Sequence, residues 1–139
     1  MIHSFALHPT LARDTVEIAA LPLCRLLLMN DRRFPWLILV PERESLREIH
    51  ELAPADRAEL VEEIARASEA LTRLFQADKV NVGALGNLVP QLHVHVVARF
   101  AADAAWPGPV WGSGAAVPYG DAELAALRER LAAAFRGVM

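Results

Sequence analysis

The chain has 139 residues, a net charge of −3 at pH 7 and 54% apolar residues, so a single domain can bury a core without disulfides. Its apolar runs stay well short of the roughly 20 residues that a membrane-spanning helix needs, and we expect no membrane partner. The acidic balance, without any basic block, also argues against long nucleic acid as a partner, although backbone N–H groups can still bind a small anion.

The N-terminal part of the chain predicts several strands, and its single cysteine is typical of a protein in a reducing compartment. Its first residues, MIHSFALHPT, lack the charged flank and long apolar stretch of a secretory signal, so a cytoplasmic location is expected. The single cysteine, Cys24, lies in an apolar run and has no internal disulfide partner, which is typical of a buried strand thiol. TVEIAA (15–20) alternates weakly, and LCRLLLMN (23–30) and WLILVP (36–41) are strongly apolar runs on either side of NDRRFP. Together they predict two or three strands joined by a turn.

Two helices are predicted in the middle of the chain. Ser45 and, three residues later, Glu48 fit a capping box, so a brief helix is expected through SLREIHEL. Pro54 suits the first turn of a longer helix of about five or six turns. The apolar residues at steps of three and four predict its buried side: Leu60, Ile64, Ala67, Leu71 and Leu74.

The second half of the chain predicts another strand pair, a loop and a last helix. KVNVGAL and LHVHVVARF alternate with a period of two around Gly86 and Asn87, which predicts antiparallel strands joined by a Gly/Asn turn. The Pro- and Gly-rich residues 101–120 predict an irregular loop. Asp121 is expected to cap a final helix that Gly137 ends, and its buried side is predicted to be Leu124, Leu127, Leu131 and Phe135. These elements predict an α+β fold with an antiparallel sheet.

Two histidines, His93 and His95, stand in the last predicted strand and share one of its faces with Gln91. Residues two apart in a strand point the same way, so the aliphatic residues between them take the opposite, core-facing side. One interpretation is a pair of partly exposed strand histidines without a role. A second is a metal site, for which Gln91 is a poor further ligand and His50 and Cys24 are distant.

A third interpretation of the histidine pair is nucleophilic catalysis at phosphorus. It is favoured by the preceding turn, because glycines such as Gly83 and Gly86 let backbone N–H groups approach an anion closely. A glycine turn alone is weak evidence, but here it lies within ten residues of two imidazoles.

The segment QLHVHVV, preceded by NVGALGN, resembles the histidine triad (HIT) family, whose signature is H-φ-H-φ-H-φ-φ after an N-x-G loop, with φ apolar. The resemblance runs from about Leu23 to Phe100 and includes LLLMN, LILVP and EIHEL. It implies a single domain over 1–139 with a core at about 15–100 and a C-terminal extension at 101–139. It also implies about five antiparallel strands, one long and one short helix, and a homodimer. No cofactor or metal is expected.

The activity implied by the resemblance is the hydrolysis or transfer of a nucleoside monophosphate. The substrate would be of the dinucleoside polyphosphate or nucleoside phosphoramidate type, and the intermediate a nucleotidyl-histidine. His93 would be the nucleophile and His95 would hydrogen-bond the phosphoryl oxygens. The remaining implied contacts are Gly86 and Asn87 to phosphate, Asn81 beside the nucleoside, and Asn30 at the ribose. For Asn30, a simple turn-forming role stays open.

The chain departs from the family pattern at two positions. Gln91 stands where the first triad histidine is expected and, although it can hydrogen-bond at the catalytic site, it cannot shuttle a proton. Trp36 stands where many members have another histidine. Trp106 and Trp111 in WPGPVWG could be structural, cover the site or contact a dimer partner. A metal-binding protein using His93 and His95, or a nucleotide-binding sensor with weakened catalysis, stays an alternative.

Overall fold

A computed structural model describes residues 5–136 and contains one five-stranded sheet with three α-helices. The strands are β1 (Thr15–Ala20), β2 (Cys24–Met29), β3 (Trp36–Pro41), β4 (Lys79–Gly83) and β5 (Val94–Arg99). The helices are α1 (Pro9–Asp14), α2 (Pro54–Phe75) and α3 (Asp121–Phe135), and Ile49–Glu51 form one 3₁₀ turn. The strand order is β1-β2-β3-β5-β4 and every neighbouring pair is antiparallel. The predicted α+β class with a five-stranded antiparallel sheet is confirmed.

The centre of the sheet is buried on both faces, since β3 and β5 are buried at every position. One face packs against α2 and α3 and includes Leu92, Val94 and Val96. The other face carries a second apolar cluster, which includes Trp36 and Val97. His93 and His95 are each only 6% exposed, so they are not surface histidines. The prediction that the aliphatic residues and the imidazoles take opposite sides is correct, but both imidazoles are also largely buried.

The side chain of Glu63 ties α2 to the start of β2. Its two carboxylate oxygens accept hydrogen bonds of 2.9 Å from the backbone N–H groups of Leu23 and Cys24. Burial raises the pKa of Glu63, and burial also raises the pKa of the Cys24 thiol far above its ordinary value. Cys24 is therefore the inert, buried strand thiol that the sequence predicts.

The short helix predicted from Ser45 is wrong in position and length. Ser45 has a left-handed φ of 58°, which is not the extended backbone of a helix cap. Instead, the cap is Glu48, three residues after Ser45. Its backbone N–H donates to the carboxylate of Glu51 at 2.8 Å, and this contact closes a single 3₁₀ turn. None of the three residues of this turn is buried, so no packing stabilises a longer helix here.

The chain ends also differ in detail from the prediction. The six-residue helix α1 was not predicted, because its start depends on the imidazole of His8, whose Nδ1 accepts from the N–H of Thr10 at 3.0 Å. At α3 the cap is Gly120, and Asp121 is the first helical residue, where its charge still suits the helix dipole. The predicted stop at Gly137 lies outside the described residues. Within residues 5–136, no helix is long and apolar enough to cross a membrane.

The loop at 101–120 is irregular, as predicted, and a buried ion pair anchors its start. The Arg99 Nε donates to Asp103 at 2.8 Å, and the two side chains are 2% and 3% exposed. The same guanidinium donates to the side-chain oxygen of Asn81 and to the carbonyl of Gly108, both at 2.7 Å. Hydrogen bonds from Arg99, joined by backbone N–H groups, hold the pKa of Asp103 well below its ordinary range.

This ion pair makes stability depend on pH in a definite direction. Because the folded-state pKa of Asp103 is depressed, its contribution is present above the unfolded pKa near 3.8 and is lost as pH falls below it. We predict that Asp103→Asn lowers the free energy of unfolding by about 3 kcal/mol at pH 7. The difference in free energy of unfolding between the variant and wild type should become smaller in acid. Urea titrations from pH 7 to pH 3 measure both quantities.

The control is Glu69→Gln, which removes the same charge from an exposed ion pair with Arg73. It should leave stability nearly unchanged at every pH. If the difference in free energy of unfolding between Asp103→Asn and wild type stays constant down to pH 3, the assigned role of the carboxylate is contradicted.

Candidate active site

A cavity of about 780 Å³ opens on the histidine face of the sheet. Its walls come from the end of β2 and the following turn, the loop between β4 and β5, the start of β5, and the loop after β5. Its lining includes Trp36 and five site residues predicted from the sequence: Asn30, Gly86, Asn87, His93 and His95. The volume lies in the range of pockets that bind small molecules.

His93 precedes β5 and is held by its own local backbone. Its Nδ1 lies 2.7 Å from the carbonyl oxygen of Gln91, and a carbonyl can only accept, so Nδ1 carries the proton. The strand was predicted to include His93, but regular pairing begins at Val94, because the preceding N–H of Leu92 donates to Leu46 instead of to β4. When the ring is neutral, its lone pair therefore lies on Nε2, which is the arrangement of a nucleophile or base.

His95 has the opposite proton arrangement. The indole Nε1 of Trp36 donates to its Nδ1 at 3.0 Å, so the ring proton lies on Nε2. Burial lowers the pKa of His95 to about 4, and positive charge on His93 acts in the same direction. The two rings lie 4.8 Å apart, centroid to centroid. One imidazole therefore offers a lone pair and its neighbour a neutral N–H.

The turn after β2 closes another wall of the cavity. The side-chain oxygen of Asn30 accepts from the N–H of Tyr119 at 2.9 Å. Asp31 is 1% exposed, and its carboxylate binds the guanidinium of Arg33 at 2.8 Å. Burial alone would raise the pKa of Asp31, but the hydrogen bonds from Arg33 and from backbone outweigh it and lower that pKa. Arg33 also donates to the carbonyl of Ser113 at 3.3 Å, which ties the C-terminal loop to this wall.

The sequence of the chain matches one known protein family over most of its length. Residues 12–102 match the HIT domain family. The chain belongs to the HIT family. A comparison with curated proteins finds no match.

Solved HIT structures agree with this assignment over nearly the whole chain. A histidine triad protein from Sinorhizobium meliloti is 48% identical, with a TM-score of 0.90 over 92% of this chain and 95% of its own. A histidine triad protein from Marinobacter aquaeolei is 46% identical, with a TM-score of 0.91 over 94% and 95%. One from Bradyrhizobium japonicum is 45% identical, with a TM-score of 0.89 over 91% and 95%. Coverage this high also includes part of the segment beyond residue 102.

Two residues that the HIT resemblance assigned to the site are held elsewhere. The amide oxygen of Asn81 accepts from Arg99, and Asn81 lies outside the lining of the large cavity. The amide of Gln91 binds the N-terminal segment: its oxygen accepts from the N–H of His8 at 2.8 Å, and its nitrogen donates to the carbonyl of Ala6 at 2.9 Å. Gln91 lines a smaller neighbouring pocket of about 200 Å³ together with His93.

The three tryptophans of the chain have different surroundings. Trp111 lines the cavity, with its ring 5.5 Å from His95 and 6.4 Å from Trp36. A Cβ on Gly83 would come within 3.0 Å of the Trp111 ring, so the glycine leaves room for it. Trp106 instead lies over the guanidinium of Arg99 at 5.8 Å. Sequence alone left the roles of Trp106 and Trp111 open, because a Pro- and Gly-rich loop has no period that tells which ring points inward.

The distant metal ligands considered from sequence are not assembled. Cys24 packs with the cluster on the α2 face, opposite the histidines, and His50 is exposed. Among residues 5–136, no group of three or more His, Cys, Asp or Glu side chains could hold a metal ion.

Proposed function

We propose that this HIT protein is a nucleotide hydrolase or nucleotidyl transferase that acts at an α-phosphorus through a nucleotidyl-histidine on His93. The substrate class is the dinucleoside polyphosphates or nucleoside phosphoramidates. The observation that carries the proposal is the pairing of a lone pair on His93 with a neutral N–H on His95 in one cavity of nucleotide size. Family membership supports it.

The chemistry follows from the two proton positions. The Nε2 lone pair of His93 attacks the α-phosphorus, and the bond from phosphorus to the leaving group breaks with its electron pair. Water or another acceptor then attacks the same phosphorus and releases His93. The Nε2–H of His95 donates to a phosphoryl oxygen whose negative charge grows during each attack. Since His95 stays neutral at pH 7, it contributes a hydrogen bond and not a proton.

The other assigned contacts are proposals of the same kind. Gly86, with a left-handed φ of 70°, and Asn87 lie on the cavity wall beside the histidines and would donate to phosphate. Asn30 would contact the ribose through its amide NH₂ group, because its oxygen is bound to Tyr119. For Asn81, the hydrogen bond to Arg99 favours support of the loop over direct contact with the nucleoside.

A nucleotide-binding sensor is the second candidate. It is favoured by Gln91, whose amide can protonate no leaving group and binds the N-terminal segment at both of its polar atoms. Turnover of diadenosine tetraphosphate or of an adenosine phosphoramidate distinguishes an enzyme from a sensor.

The first prediction from the proposed function concerns the nucleophile. His93→Ala should lower kcat by at least about 10³-fold, since the proposed covalent intermediate forms on this side chain, while nucleoside monophosphate still binds. The control, His50→Ala, changes an exposed histidine that lines only the smaller pocket, and it should leave kcat within a few-fold of wild type. Steady-state kinetics and calorimetric binding measure the two effects. Comparable turnover by His93→Ala would overturn the assignment.

The second prediction concerns the leaving group. Polyphosphates leave as stable anions, whereas amines must be protonated, and Gln91 cannot supply that proton. Wild type should therefore have the higher kcat/KM for dinucleoside polyphosphates. Gln91→His should speed the phosphoramidate more than the polyphosphate and add an ionisation near pH 6.5.

Loss of the contacts from Gln91 to the N-terminal segment would affect both substrates alike, so the ratio of the two kcat/KM values isolates the proton. Equal acceleration of both substrates, or none, would show that the proton comes from another group.

The third prediction concerns assembly as a homodimer. β4 is an edge strand of the sheet, and the apolar side chains of Val82, Leu85 and Leu88 on it and after it are 49%, 43% and 95% exposed. Light scattering at micromolar concentration should give about twice the mass of one chain, because most homo-oligomers are two-fold symmetric. Val82→Lys should shift the protein toward monomer. A monomer at every concentration for wild type would contradict the proposal.

A further inference from the structure

The hydrogen bond from Trp36 to His95 joins two side chains 59 residues apart in sequence. Trp36 is 7% exposed and His95 6%, so the contact is largely shielded from bulk solvent. The two residues are diagonal neighbours across the β3–β5 ladder, where Trp36 pairs with Val97 and Ile38 pairs with His95. Strand register therefore fixes the distance between the two rings.

The indole is held from two further sides. Its ring packs edge-on against Phe34 at 6.3 Å and against Trp111 at 6.4 Å. The ring has little freedom to turn its N–H away from His95, because the sheet and both aromatic neighbours surround it.

The chemistry of the indole N–H makes the contact selective. An indole nitrogen donates and never accepts, so Nδ1 of His95 must carry a lone pair. Protonating that nitrogen would place two donors against each other inside an apolar cluster, at the cost of a buried hydrogen bond. A histidine in place of Trp36 could either donate or accept, and it would leave both forms of His95 available.

We propose that Trp36 is a positioning residue that holds His95 in the neutral Nε2–H tautomer, so that His95 serves as a fixed hydrogen-bond donor and never as a proton carrier. The tautomer assignment stands on the geometry, and its use in phosphoryl transfer rests on the proposed function. Trp36 acts through His95 and is not itself a catalytic residue.

The surrounding charges are consistent with this assignment. The titratable side chains that line the same cavity are Arg13, Asp14, Asp31, Arg33 and His93. Arg13 pairs with Asp14 and Arg33 with Asp31, so each carboxylate has a cation beside it. His93, whose ring adjoins His95, only disfavours charge there.

Nitrogen NMR of the protein labelled with ¹⁵N-histidine tests the tautomer without substrate. His95→Gln identifies the His95 signals among those of the five histidines. In wild type at pH 7, His95 should show a protonated Nε2 and an unprotonated Nδ1. In Trp36→Phe the two tautomers should mix, and His95 should titrate about one pH unit higher, the equivalent of one hydrogen bond to the neutral form.

The matched control is Trp111→Phe, since this ring also packs against His95 but its indole N–H has no hydrogen-bond partner. It should leave the tautomer of His95 unchanged. A protonated Nδ1 in wild type would overturn the proposal whether or not any variant folds. An unchanged spectrum of His95 in Trp36→Phe would overturn it as well.

Kinetics then separate this inference from the proposed function. Trp36→Phe should lower kcat by about 10-fold with little change in KM, and it should add an ionisation to the pH–rate profile; loss of a whole oxyanion donor costs roughly 10²-fold or more. If wild type turns over no nucleotide, the proposed function fails while the NMR result still decides the tautomer. An unchanged kcat and pH profile, together with the expected spectra, would refute the catalytic use of the tautomer alone.

Discussion

The pairing of β3 with β5, two strands that are buried on both faces, is the constraint on which the site depends. Alternation along β5 sends Val94 and Val96 into the core beneath α2 and leaves His95 on the opposite face. The same register puts Trp36 beside His95. A slip of one residue would exchange the two faces, burying the imidazole against α2 and placing valine in the cavity.

Burial then determines what the two imidazoles can do. Each ring keeps one nitrogen for the cavity because the other is bound by the protein, His93 to a carbonyl oxygen and His95 to an indole N–H. The partners differ in polarity, so two identical side chains 4.8 Å apart receive opposite roles. The loops complete the site: the buried pair of Arg99 and Asp103 anchors the segment that brings Trp111 over His95.

Local patterns in the sequence predicted most of the fold. The strands around Cys24 and Leu39, helix α2 and the separation of Val94 from His95 all follow from periods of two or 3.6 residues. Family resemblance added the site, and Asn30, Gly86 and Asn87 do line its cavity. The roles of these residues stay predictions.

Long-range contacts between side chains were beyond the reach of those patterns. Gln91 binds a segment more than 80 residues away, and Asn81 binds Arg99. Contrary to expectation, neither residue lines the large cavity. The hydrogen bond from Trp36 to His95 is also long-range, since it depends on the register of β3 and β5.

The most direct test of the proposed mechanism is trapping of the covalent intermediate: excess enzyme is mixed with diadenosine tetraphosphate, quenched in the first turnover and analysed by peptide mass spectrometry. The proposed mechanism predicts an adenylyl group on His93, and turnover with no adduct there, or with an adduct on another residue, would contradict it.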